Sequence, residues 1–208
     1  STPIKSSAAS DVYKRQGYTM KKFLSIALAL LMVCVMLPVV ALAAEKTAST
    51  YEELKSAIST ANDGDTIKLL ADIDLSQTIT VNKTITLNMN GKKLYNTSDL
   101  WDKPTAEANN WSLISVRGSG NLTITGNGTF AAKENDCYAV DVQESATVTI
   151  KNGTFIGNIH AVYVFAGTAN VEGGTYSVQQ KYPDSAKGDE FVLNCYDANR
   201  ANGTARIN

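Results

Sequence analysis

The chain has 208 residues, with 19 Lys and Arg against 20 Asp and Glu, a formal charge of −1 and one histidine. Apolar residues make up 44% and charged residues 19%, which is ordinary globular usage and excludes a wholly disordered chain. The lack of a long basic run speaks against a nucleic-acid or polybasic membrane partner, and a single histidine excludes most His-rich zinc sites.

Residues 1–19 carry no hydrophobic period and no initiating methionine. Ser6 to Gln16 (SSAASDVYKRQ) resembles an in-frame translation of a sequencing-library adapter, so 1–19 are expected to be an assembly artefact. Met20 is the expected start. Lys21 and Lys22 follow, then an apolar run from Phe23 to Val40 and an A-x-A site at Ala41-Leu42-Ala43. This order of basic start, apolar centre and small-residue exit predicts a secretory signal peptide over 20–43, cut after Ala43. The remaining chain, 44–208, is mildly acidic. It is expected to be secreted or displayed on a cell surface, with no membrane span once the leader is removed.

Residues 44–65 read as an N-terminal cap helix and its entry. Thr50-Tyr51-Glu52-Glu53 is a capping box, with Thr50 as N-cap and Glu53 three positions on. Leu54, Ala57, Ile58 and Ala61 keep helical spacing, and Gly64 is the expected stop. Short strands follow at Thr66–Leu70, Thr78–Val81 and Thr84–Leu87.

From there a repeat sets the expectation for 66–208. Gly-Thr-aromatic occurs at Gly128-Thr129-Phe130, Gly153-Thr154-Phe155 and Gly174-Thr175-Tyr176. Aligning the repeats places Ile114, Val140, Val162 and Leu193 in one column, with Val116, Val142, Val164 and Cys195 two residues on. Leu122, Val148, Ala169 and Ala205 form a third column, and Ile124, Ile150, Val171 and Ile207 a fourth. Side chains two apart share a strand face, so the columns read as an inward stack. The predicted fold is all-β: a right-handed parallel β-helix, a solenoid, with a short N-terminal capping α-helix, preceded by a signal peptide. The glycines at 128, 153 and 174 are expected at corners that need positive φ.

The run YEELKSAISTANDGDTIKLLADIDL…TITVNKTITLNMNGKKL (51–94) resembles the entry to pectate-lyase-like β-helix domains of secreted bacterial proteins, and the Gly-Thr-Phe coils resemble the same superfamily. The resemblance implies the architecture. It does not imply an activity, because the fold hosts lyases, hydrolases, phage spikes and non-catalytic adhesins. The pattern is interrupted at Asn208, and the chain is expected to be a fragment of a longer stack.

The two outward columns are Ser115, Asp141, Tyr163, Asn194 and Arg117, Gln143, Phe165, Tyr196. The resemblance to pectate lyases would imply clustered carboxylates for calcium. The first column holds one, Asp141, whereas calcium takes six to eight oxygens. No carboxylate pair suited to glycosidase chemistry shares a face. Asp63, Asp65, Asp72 and Asp74 cluster in sequence without the spacing of an EF-hand and read as a turn plus a strand with outward Asp. His160 aligns with Tyr138 and reads as a surface or edge residue. Cys195 reads as a core residue. Cys137 lies two coils away, ~9.6 Å along the stack at ~4.8 Å per coil, too far for a disulfide. No catalytic residue, cofactor or metal motif emerges.

The loops after each third strand, 95–111, 131–137, 156–159 and 177–190, differ in length and would share one side of a solenoid, where binding surfaces form. They hold Trp101, Trp111 and Tyr182. Trp101, Trp111, Asp141, Tyr163, Phe165, Asn194 and Tyr196 are therefore the candidate ligand-binding residues, with a glycan or another cell-surface component as partner. The oligomeric state is left open. The expected function is a non-catalytic, adhesin-like surface module. The alternatives are a polysaccharide-lyase-type enzyme with active residues partly in further coils, and a structural stalk.

Overall fold

The computed structural model describes residues 16, 18–26, 28, 43–100, 112–133, 137–180 and 191–208. The adapter-like segment and the expected signal peptide fall largely outside these residues, as do Trp101, Trp111 and Tyr182. The chain divides into two units, 1–42 and 43–208. In the first, residues 18–26 are helical and exposed. Among the described residues no helix is long and apolar enough to cross a membrane.

The second unit opens with β1 (Glu45–Ala48), α1 (Tyr51–Thr60), β2 (Thr66–Leu69), β3 (Ile73–Asp74) and β4 (Ile79–Val81). It continues through β5 (Thr84–Asn88), β6 (Lys93–Tyr95), β7 (Ser112–Val116), β8 (Asn121–Thr125), β9 (Thr129–Ala131) and β10 (Tyr138–Val142). Then come β11 (Thr147–Ile150), β12 (Thr154–Gly157), β13 (Val162–Val164), β14 (Gly167–Val171) and β15 (Thr175–Val178). The unit closes with β16 (Leu193–Cys195), α2 (Asp197–Ala201) and β17 (Ala205–Ile207). Three sheets of parallel strands result, in the orders β1-β2-β5-β8-β11-β14-β17, β4-β7-β10-β13-β16 and β3-β6-β9-β12-β15. From β2 onward the strands are dealt to the three sheets in rotation, which is solenoid-like stacking.

Alternation creates the core. The β4 to β16 sheet aligns Ile79, Ile114, Val140, Val162 and Leu193, and next to them Val81, Val116, Val142, Val164 and Cys195. The first four members of each column are buried, whereas Leu193 on the edge strand β16 is 38% exposed. The third sheet stacks rings: Phe130 on Phe155 at 4.8 Å between centroids and Phe155 on Tyr176 at 5.2 Å, near-parallel. Offset ring stacking adds to the burial of large apolar surface.

The last coil departs from the expected alignment. Ala205 pairs with Gly167, and Ile207 with Ala169, two residues out of the predicted register. The true column is therefore Leu122, Val148, Ala169 and Ile207. A slip of two keeps every side chain on its face, so alternation alone cannot detect it.

Helix α1 forms for the reasons its sequence suggests. Thr50 Oγ1 accepts the Glu53 N–H at 3.2 Å. Glu53 reaches back to the Ser49 N–H (2.7 Å), one residue beyond the usual capping-box partner. Leu54, Ala57 and Ile58 are buried. The helix stops at Thr60, not at Gly64, because Ala61 is already extended at ψ 145°. β1, unrecognised in the sequence, pairs with β2.

The acidic cluster braces corners. Asp63, Asp72 and Asp74 accept the backbone N–H of Thr84, Lys93 and Thr97, one coil on, at 2.9–3.0 Å. Asp65 is buried instead of outward, and the Ala44 and Asn62 N–H groups it accepts hold its carboxyl below the usual range. The corner glycines divide into two kinds. Gly153 and Gly174 have φ of 122° and 112°. Gly128 does not; a Cβ there would meet Met89 Cβ at 2.3 Å and Lys92 O at 2.5 Å, so close approach is what requires glycine.

Candidate surface on the five-stranded sheet

The outward face of the β4 to β16 sheet collects the candidates that the structure describes. Register aligns Thr80, Ser115, Asp141, Tyr163 and Asn194 across its five strands. The next row is fixed by backbone bonds in which Arg117, Gln143, Phe165 and Tyr196 donate to Val81, Val116, Val142 and Val164. Both outward columns thus stand as the repeat alignment predicts.

The two ends of this face differ in character. Toward β7 and β10 it is a buried polar network. Ser115 Oγ donates to Asp141 Oδ2 (3.0 Å), Gln143 Nε2 donates to Asp141 Oδ1 (2.7 Å), and Arg117 Nε donates to Ser115 Oγ (2.9 Å). Ser115 is 0% exposed and Asp141 2%. Asp141 therefore lies behind the surface, and its role there is to hold neighbours in place. Burial raises its pKa to about 6 against the opposing pull of Gln143, Ser115 and Arg117.

That shift has a sign. Between pH ~4 and ~6 the unfolded chain has released the Asp141 proton while the folded chain keeps it. The native state then binds more protons, so this group's contribution to stability falls as pH rises through that window. Asp141→Asn is expected to flatten the fall. The difference from wild type should reach up to about 3 kcal/mol, at ~1.4 kcal/mol per tenfold change in proton affinity. Urea midpoints of both proteins at pH 4 and pH 7 check it; parallel pH profiles would refute it.

Toward β13 and β16 the face is aromatic. Phe165 and Tyr196 stack at 4.9 Å and remain 39% and 43% exposed. Asn199 Nδ2 donates to the Phe165 carbonyl (2.6 Å), fixing its backbone. Tyr163 packs against Tyr138 at 4.9 Å and His160 at 5.4 Å. Its phenol is pushed up to about 12, chiefly by burial and then by the Asp141 charge.

His160 is the main correction to the sequence reading. It is 5% exposed, not a surface residue. Its Nδ1 lies 2.9 Å from the Phe191 carbonyl and its Nε2 lies 3.0 Å from Asn194 Nδ2. The neutral tautomer with its proton on Nδ1 satisfies both, donating to Phe191 and accepting from Asn194. His160 thereby orients the Asn194 amide from below. Tyr138 and His160 lie outside the sequence candidates, although the offset that aligns Val140 with Val162 also aligns Tyr138 with His160.

Cys137 and Cys195 are free thiols. Burial pushes Cys137 up to about 12, which makes it an inert thiol. Among the described residues no three His, Cys, Asp or Glu side chains gather closely enough to hold a metal ion. No family model, curated protein or solved structure matches the chain at a significant level.

Proposed function

We propose that this chain is a secreted or cell-surface module of the right-handed parallel β-helix class, resembling the pectate-lyase-like superfamily. In this reading it binds a glycan or another surface component without turning it over. The rotation of strands through three parallel sheets supports the architecture, and the leader-like segment from Met20 to Ala43 supports export. One observation carries the binding reading. Two exposed, stacked rings, Phe165 and Tyr196, lie beside the Asn194 amide and the Tyr163 phenol on a rigid sheet. An apolar ring face with a few placed polar groups is the composition of a saccharide-binding surface. The burial of Asp141 lends no support to the lyase reading, since its carboxylate does not reach a substrate on this face.

The test is retention on immobilised neutral and acidic polysaccharides, with ultraviolet absorbance followed for unsaturated products. Wild type is expected to be retained without releasing product. Tyr196→Ala is expected to lose tenfold or more in affinity with only a small drop in melting temperature, because the ring is 43% exposed and the contact it gives up is its stack on Phe165. Product formation would favour the lyase reading, and neither retention nor product would leave the stalk.

A further inference from the structure

A second surface lies at the β4 edge of the same sheet, at the far end from the aromatic rings. A groove of about 280 Å³ runs between α1 and β4, with Tyr51, Lys55 and Ile58 on the helix side and Gln77, Ile79 and Thr80 on the strand side. Ile58 and Ile79 are buried beneath it. Among the described residues β4 is an edge strand, paired with β7 alone.

In a parallel ladder, successive residues turn their backbone groups to opposite edges. The Val81 carbonyl accepts the Arg117 N–H, so Val81 faces β7. Thr80, one residue earlier, therefore turns its N–H and C=O toward the groove. Such an edge is a template for one more strand. The groove also has a sign: among the described residues Lys55 lines it and no acidic side chain does.

We infer that the groove between α1 and β4 takes a short extended peptide bearing a carboxylate. The peptide lies alongside β4, bonds the backbone of Thr80, and sets its carboxylate at Lys55. This site does not depend on the glycan reading.

The experiment titrates the full-length, ¹⁵N-labelled protein with acetyl-Ile-Thr-Val-Glu-amide, with the same peptide carrying Gln for Glu, and with cellotetraose. The acidic peptide is expected to move the Thr80 amide proton downfield in a saturable way. The Gln peptide should bind severalfold more weakly, and Lys55→Ala should show the same loss. Thr80→Pro should abolish binding, because its N–H faces the groove and the ladder bonds of β4 stay intact. Should Thr80→Pro fail to fold, the Glu/Gln pair and Lys55→Ala still decide. No movement of the Thr80 amide at millimolar peptide would overturn the proposal. So would equal binding by wild type and Lys55→Ala, or cellotetraose shifting these signals in place of the peptide.

Discussion

Phe155→Ala is expected to destabilise the fold by about 3–5 kcal/mol, the range for removing a fully buried ring. Phe155 is 0% exposed and sits between two rings, Phe130 at 4.8 Å and Tyr176 at 5.2 Å. Truncation removes both stacking partners' contacts at once and leaves a void in the middle of the ladder. The void cannot close easily, because β12 is hydrogen-bonded on both sides, to β9 and β15. Phe155→Leu refills part of the space and should cost less than half as much. Urea unfolding reads both, with unchanged slope showing that stability and not compactness has moved. A loss under ~1 kcal/mol for the alanine variant would mean that the neighbouring coils collapse inward, against the close packing argued here.

Gly157→Ala is expected to be the most damaging glycine-to-alanine change among the described residues, costing more than ~4 kcal/mol. A Cβ at Gly157 would lie 1.8 Å from the His160 carbonyl oxygen, 2.2 Å from its carbon and 2.6 Å from the Ala161 nitrogen. These are backbone atoms, so no rotamer change relieves the clash. The segment 158–161 would have to move. It is held by the Asn158 N–H donating to Cys137 O (2.8 Å) and the Ala161 N–H donating to Val192 O (3.0 Å). Displacing it also displaces His160, and with it the amide of Asn194. Thermal melting followed by circular dichroism checks the stability. A folded Gly157→Ala protein should still lose polysaccharide retention, whereas a variant that melts and binds like wild type would show that the corner is softer than its contacts imply.

The inward columns were legible because each strand contributes two apolar residues at a spacing of two, and because the Gly-Thr-aromatic triplet anchors the register. β3 and β6 were not, since they contribute one inward residue apiece, Ile73 and Leu94, and a single residue has no period. β1 was missed for the same reason; of its four residues only Ala48 is buried. The outward face was legible as an alignment but not as an environment. Sequence placed Asp141 beside Tyr163 correctly, yet nothing local told that Ser115, Gln143 and Arg117 would close over its carboxylate. The burial of His160 depends on Tyr138, Tyr163, Asn194 and Phe191, which come from β10, β13, β16 and the segment before β16, up to 34 residues away. Lone histidines of this kind carry no sequence signal beyond their row.

The parallel ladders also determine how this unit resists force. Their hydrogen bonds run from coil to coil, so a pull along that direction loads the coils in series, and the weakest junction parts first. A pull along the strands instead shears many bonds together and meets far greater resistance. The material is thus anisotropic: tough when dragged sideways, and prone to peel one turn at a time when stretched end to end.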